Sequence, residues 1–176
     1  MDSKGLLLRL TLDALRDAGV FTNIDNFEGR KNVQKSLYLL QENRLPYGYF
    51  FGWYLRGPYS SGLANDYFKV AEDQSDRYTK LAKDKTLSES IRDKIKQLVS
   101  LLKSDNWQLK DQLEAAASAR FIMVSESRDA QSSVAELRKR KPGLPFDEGK
   151  VLACLNSLEP VSDARGNGHS GQQDTP

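Results

Sequence analysis

The sequence is poor in the residues on which most enzymes and metalloproteins depend. Its 176 residues include one cysteine and one histidine. A single cysteine excludes an intramolecular disulfide framework and a zinc cluster. A single histidine excludes the common multi-histidine metal sites and most histidine-based catalysis. With 26 basic and 24 acidic residues the net charge is only +2, so nucleic-acid binding would have to come from a local patch.

Long apolar runs are also missing. The apolar triplet at residues 6–8 is followed by Arg9 and Asp13, which break any run long enough for an export signal or a membrane span. Together with the unpaired Cys154, this favours a bacterial-type cytoplasm or another reducing compartment, and no membrane partner. The hydrophobic share of 39% is ordinary for a globular protein.

Motifs that carry chemistry are absent from the sequence. There is no Walker loop and no dinucleotide-binding glycine pattern. His169 lies in a polar stretch near the end, and Cys154 lies beside the apolar stripe of a predicted helix. Asp66 and Glu114 belong to no paired set of carboxylates. We therefore predict a non-enzymatic protein with no catalytic or metal-binding residues and no cofactor.

Apolar residues recur with a helical period along most of the chain. Two stretches, Thr86–Glu89 and Ser133–Glu136, have the pattern of a capping box that opens a helix. The polar stretch 72–85 predicts a loop with a short extended piece around 77–81. The patterns predict seven helices, at about residues 8–19, 30–43, 60–70, 86–102, 106–124, 133–141 and 146–158.

Between the second and third predicted helices the period changes. Residues 49–55 are dense in aromatics and lie between two Gly- and Pro-containing turns, which predicts a short strand buried on both faces, or a hairpin. Residues 159–176 contain few large apolar side chains and predict a disordered tail. We predict a mainly α, winged-helix-like single domain over residues 1–158, with an irregular helical bundle as the alternative.

Two groups of cations are candidates for nucleic-acid contact. Four consecutive cations close the sixth predicted helix, where the helix dipole and solvent would also account for them. Others lie at the start of the second predicted helix and on the turn after the aromatic stretch, where they could contact phosphates. The candidate contacts are Arg30, Lys31, Lys35, Arg56, Arg138, Lys139, Arg140 and Lys141.

Nine aromatic residues lie between positions 47 and 68. Most of them are expected in the core, because aromatic side chains gain much from burial. One short strand cannot hide all nine, and a partly exposed aromatic face is a usual anchor for a protein partner. The candidate partner surface consists of Tyr49, Phe51, Trp53 and Tyr59.

Two segments resemble a known family. Residues 35–40 (KSLYLL) and 54–66 (YLRGPYSSGLAND) are similar to the YwgA-like proteins of bacteria and archaea, in which a K-x-x-Y-L-L helix precedes a Y-x-x-G-P-Y-S-x-x-L-x-x-D segment. More remotely, the chain is similar to SocA-like antitoxins, also called Panacea domains, in which a K-L-L-Y helix precedes a G-P turn. Residues 113–118 and Lys141-Pro142 follow the family's usual order, so the likeness covers about Leu8 to Leu158.

The resemblance implies a winged-helix-like domain without enzymatic residues that acts through protein contacts in toxin–antitoxin, regulatory or phage-defence systems. Its motif falls on Gly57, Pro58, Tyr59, Ser60 and Asp66, for which we expect structural roles. Gly57-Pro58 would end the strand, Ser60 would cap the next helix, and Asp66 would tie that helix to a neighbouring amide or cation. Tyr-Ser after Gly-Pro departs from the SocA-like pattern.

The leading hypothesis is therefore a protein-interaction module that acts as an antitoxin, accessory or regulatory subunit and binds a toxin or a defence-system protein. The alternative is a winged-helix, DNA-binding transcriptional regulator that uses the basic clusters. A third reading is a subunit of a defence enzyme whose active site lies on another chain. The oligomeric state stays open.

Overall fold

The computed structural model describes residues 3–73 and 76–160, which form eight helices and one two-stranded hairpin. The mainly α fold with a small hairpin is thus confirmed. No helix in these ranges is long and apolar enough to cross a membrane. The elements are α1 Ser3–Asp17, α2 Phe27–Glu42, β1 Gly52–Tyr54, β2 Gly57–Tyr59, α3 Ser61–Ala71, α4 Arg77–Ala82, α5 Glu89–Leu102, α6 Leu109–Ser125, α7 Ala130–Arg140 and α8 Glu148–Ser157.

Capping side chains fix where several helices begin. Ser60 caps α3 as predicted, since its hydroxyl accepts a hydrogen bond from the Leu63 N–H at 3.2 Å. Both predicted capping boxes are wrong. Ser88, not Thr86, caps α5. Asp129, four residues before the predicted cap Ser133, caps α7, because its side chain accepts a hydrogen bond from the free Ser132 N–H of the first turn.

The stretch predicted as a polar loop contains a helix instead. α4 is six residues long, and its Tyr78 is buried. The Tyr78 ring lies against Gly5 of α1, where a Cβ would clash with it. Packing of one aromatic side chain against a distant helix thus holds a segment whose own sequence has no apolar period.

Helix α6 forms the centre of the molecule. It packs against α2, α7, α8 and β2. Residues 112–120 of α6 are all buried, so the helix is covered on nearly every side and lacks a solvent face. Its run of alanines lets α2 and α7 approach closely. The end of the domain is also held here, because the buried Arg120 donates to the Glu159 carbonyl oxygen at 2.8 Å. Residues 161–176 of the predicted tail lie outside the described residues.

Of the two structures predicted for the aromatic stretch, the hairpin is confirmed and the single strand buried on both faces is wrong. Strand β1 covers only residues 52–54 and pairs antiparallel with β2, with Trp53 opposite Pro58 and Tyr54 opposite Gly57. Gly57-Pro58 was expected to end the strand and instead forms the second one. Proline is tolerated because both strands of a two-stranded sheet are edges. Gly57 has a φ of +87°, a left-handed conformation that favours glycine.

Replacement of Gly57 by alanine tests how closely the hairpin is seated on α6. A Cβ at this position would clash with Ser118 Oγ of α6, whereas a Cβ at Gly48, with a φ of +66°, would meet open space. We expect Gly48→Ala to cost about 1 kcal/mol of unfolding free energy from backbone strain alone. Gly57→Ala should cost about 1–3 kcal/mol more from overpacking. Urea denaturation measures both, and equal losses would contradict close packing of β2 on α6.

Candidate functional site

One face of α2 fixes both ends of the hairpin segment. The Gln41 side chain donates to the Tyr49 carbonyl oxygen at 2.7 Å and accepts from the Tyr49 N–H at 2.7 Å. The Gln34 side chain makes the same pair of bonds with Ser60, at 2.9 and 2.8 Å. The two glutamines are seven residues apart and therefore lie on one helix face. Each amide occupies the place that a neighbouring strand would take.

Lys35 supplies a third anchor for the hairpin. Its Nζ donates to the Pro58 carbonyl oxygen at 2.7 Å, and the residue is only 2% exposed. Burial lowers the pKa of Lys35 to about 7; the carboxylate of Glu114 raises it, and the neighbouring Lys141 and Lys31 lower it. Lys35 is therefore not available for the nucleic-acid contact expected of it, because its ammonium group faces the protein interior.

The two predicted cation clusters meet at one buried carboxylate. Lys31 of α2 donates to one oxygen of Glu114 at 3.0 Å, and Lys141, just after α7, donates to the other at 2.9 Å. Burial alone would raise the pKa of Glu114, but the hydrogen bonds from the two lysines outweigh it and the pKa is lowered. Both lysines are thus partly withdrawn from solvent and neutralised. From the sequence alone, only the need of a buried acid for partners pointed to this cluster.

The other cations of the 138–141 run do not form a free basic patch either. The Arg138 guanidinium donates to the carbonyl oxygens of two residues after the helix and lies 3.6 Å from the centre of the Phe146 ring. Arg140 is paired with Glu126 and Glu136. Lys139 is exposed, with its Nζ 3.8 Å from a Glu136 oxygen. Most of the run therefore serves local structure.

The predicted aromatic surface is only partly at the surface. Tyr49 is buried, and its hydroxyl donates to Asp66 at 3.0 Å, so it cannot anchor a partner. Phe51 and Tyr59 are half-buried, while Trp53 is 39% exposed and packs beside α6. Asp66 ties α3 to Tyr49 and to a cation, Lys4, at 3.5 Å, in agreement with the expected structural role.

The most exposed apolar side chains are others that the prediction did not select. They include Phe50 just before the hairpin, Tyr54 and Leu55 at the hairpin tip (residues 53–56), and Phe27 in the first turn of α2. Phe68 on α3 is 38% exposed, about as much as Trp53. Phe27 precedes residue 30, where the sequence pattern predicts the start of the second helix, so that pattern places it on no helix face. For Phe68 no local signal exists, because its exposure depends on how α3 packs.

An open cleft of about 680 Å³, called here the hairpin groove, lies between the hairpin, α2 and α3 and is bordered by Phe27, Tyr54, Leu55 and Phe68 but not by Phe50. Its apolar walls come from Phe27, Tyr54, Leu55, Tyr59, Tyr67 and Phe68. Its basic lining residues are Arg30, Lys31, Lys35 and Arg56, of which Lys35 keeps its ammonium group buried against the Pro58 carbonyl oxygen. No acidic residue of the described ranges lines it. A second cleft, of about 730 Å³ on the other side of the tip, includes Asp111 and Glu114 among its lining residues.

The groups needed for metal or thiol chemistry are not assembled. Within residues 3–73 and 76–160, no three His, Cys, Asp or Glu side chains lie close enough together to hold a metal ion. Burial raises the pKa of Cys154 to about 12, so its thiol is a packing group with little thiolate. His169 lies outside the described residues.

Comparisons with known proteins leave the function to be inferred from the geometry. No protein-family model, curated protein or solved structure matches the chain. The resemblance to YwgA-like and SocA-like proteins therefore stays a hypothesis.

Replacement of Glu114 by glutamine tests the buried charge cluster. The change leaves Lys31 and Lys141 with no carboxylate between them, and we expect a loss of about 3 kcal/mol of unfolding free energy. The matched control is Glu126→Gln. Glu126 pairs with arginines at the surface, where water and salt screen the charges, so its loss should cost much less than that of Glu114. Urea denaturation midpoints measure both; a Glu114→Gln cost no larger than the control's would contradict the cluster's role.

The lowered pKa of Lys35 predicts a pH dependence of stability. Folded Lys35 loses its proton near pH 7, whereas a lysine in the unfolded chain keeps it until about pH 10.4. The unfolded state therefore binds more protons in this window, and stability rises with pH. The unfolding free energy of the wild type minus that of Lys35→Met should rise by up to about 1.4 kcal/mol per pH unit across the middle of the window.

Urea denaturation at several pH values from 6 to about 9.5 gives this difference. Cys154 also titrates in this range but is present in both proteins, so its contribution cancels. Below about pH 6 the difference should be flat, because Lys35 is protonated in both states. A difference independent of pH throughout would mean that the pKa of Lys35 is ordinary.

Proposed function

We propose that this chain is a non-enzymatic protein-interaction module that acts as an antitoxin, accessory or regulatory subunit. The hairpin tip and the hairpin groove form its partner surface. The observation that carries this proposal is the exposure of large apolar side chains around the hairpin: Phe27 is 60% exposed, Tyr54 57% and Leu55 87%. Apolar side chains that cluster at a surface in this way mark interaction sites.

The anchoring of the hairpin supports the same proposal. Gln34, Lys35 and Gln41 hold its backbone to α2, so the apolar tip is fixed before a partner arrives. A preorganised surface loses less conformational entropy on binding, which strengthens affinity. Tyrosine, tryptophan and arginine, the residue types that dominate binding energy at interfaces, all occur at the tip.

The family resemblance supplies the class of partner. In the YwgA-like and SocA-like reading, the hairpin corresponds to the wing of a winged-helix-like domain. The partner is then a toxin or a subunit of a phage-defence system, in the cytoplasm. This interpretation is based on the order of three elements: a K-x-x-Y-L-L helix, a hairpin and a helix capped by serine.

The positions of the cations favour protein binding over the alternative of a DNA-binding transcriptional regulator. That alternative relied on residues 30–35 and 138–141. Lys31 and Lys141 share Glu114, Lys35 is buried, and Arg140 pairs with glutamates. Few cations are left for the phosphate contacts on which DNA affinity depends.

Capture from an extract of the source organism tests the proposed partner surface. The full chain should retain a partner that the double variant Tyr54→Glu, Leu55→Glu loses, because two buried charges at the interface are costly. The matched control is Trp107→Glu, since Trp107 is also 40% exposed but does not line the groove. Circular dichroism checks that all three proteins are folded.

For an antitoxin, expression of the captured partner alone should arrest growth, and coexpression of the wild-type chain, but not of the double variant, should restore it. Repeated recovery of the bare protein under mild salt would contradict the proposal. If the double variant captures the partner as well as the wild type does, the hairpin tip is not the binding surface.

A further inference from the structure

All the charged residues that line the hairpin groove are basic. Arg30 donates to the carbonyl oxygens of Ile24 and Asp25, at 2.8 and 3.2 Å, and neither it nor Arg56 has a carboxylate partner within the described residues. Lys31, by contrast, is already paired with a carboxylate outside the groove. Two arginines thus keep uncompensated charge on opposite sides of the cleft, one on α2 and one at the hairpin tip. Arginine binds carboxylates in a planar, two-point geometry.

The walls of the groove are apolar and open. More than half of the surface of Phe27, Tyr54 and Leu55 faces solvent. A small-molecule site usually encloses most of its ligand, which walls this exposed do not do. An extended chain with several side chains would cover them, since successive side chains of a peptide can seat in separate apolar positions.

From this combination we infer that the hairpin groove binds an acidic peptide segment with large apolar side chains, supplied by the partner protein. The inference rests on the proposed function and adds the chemistry of the ligand. Carboxylates of the segment pair with Arg30 and Arg56, and its apolar side chains pack between Phe27, Tyr54 and Phe68. Complementary charge sets the register of the segment, and apolar burial supplies most of the affinity.

A nucleic acid is a poorer fit for the same groove. The aromatic rings could stack on bases, but binding of a phosphate backbone needs several cations in a row. Two arginines on opposite sides of a cleft do not provide such a track. Leu55, which is almost fully exposed, also has no role in phosphate binding. Its burial needs an apolar partner.

Selection from a random-peptide display library on the immobilised full chain tests the inference. Peptides of about twelve residues are long enough to span the groove when extended. The selected peptides should be enriched in Asp and Glu beside Leu, Phe or Trp relative to the starting library. The best of them, labelled with a fluorophore, then serves as the probe for fluorescence polarisation.

The probe should bind Arg56→Glu about tenfold more weakly than the wild type, because reversal of the charge replaces attraction by repulsion. Arg56 contacts no other side chain through a hydrogen bond or ion pair in the described part of the chain, so this variant should remain folded. The matched control is Arg92→Glu, an equal change of charge at an exposed position on α5 outside the groove. The double variant Arg30→Glu, Arg56→Glu should select basic peptides instead.

Three results would overturn the inference: no enrichment in acidic residues, equal binding of the probe by Arg56→Glu and the wild type, or binding of labelled duplex DNA that Arg56→Glu abolishes while no acidic peptide is selected. The two proposals fail separately. If the Tyr54, Leu55 double variant loses the captured partner but the library yields no acidic peptides, only the inferred chemistry of the ligand is overturned. If the library yields acidic peptides but no partner is captured from the extract, only the proposed function is overturned.

Discussion

The structure depends on hydrogen bonds from α2 side chains to the backbone of the hairpin segment. A two-stranded hairpin alone is marginally stable in water. Here Gln34 and Gln41 give the chain, at Ser60 and Tyr49, the pairing that a third strand would otherwise give. Lys35 adds a bond between these two points. The chain on both sides of the hairpin tip is therefore anchored to α2.

The same helix determines how the charges are distributed. Lys31 and Lys35 point toward α6, where Glu114 compensates Lys31 and Lys141 together. A sequence that contains conspicuous basic clusters thus folds into a protein whose cations are largely occupied. What is left uncompensated in the groove is a pair of arginines next to exposed aromatic rings. Two arginines beside exposed aromatic rings suit the binding of a protein segment better than that of a phosphate backbone.

The sequence was sufficient for the features that depend on local chemistry. Helices with an apolar stripe were predicted because a periodic pattern reports burial directly, and the Ser60 cap because it needs only its own first turn. A hairpin was one of the two predicted outcomes, but the position of its second strand was not predicted, because Gly57-Pro58 is usual for a turn and its pairing with β1 depends on packing against α6. The exposure of Phe68 and the burial of Lys35 depend on distant elements, about which a local pattern contains no information.

The hydrogen bonds from α2 to the hairpin backbone constrain the sequence of the hairpin tip very little. The three anchoring side chains of α2 bond to main-chain carbonyl groups, which every residue has, and to two N–H groups, which every residue except proline has. Side chains at the tip can therefore be exchanged during evolution with little effect on folding. A lineage that meets a new partner could change its recognition by substitutions at residues 54–56 alone, while Trp53 keeps its packing on α6 and the scaffold stays the same.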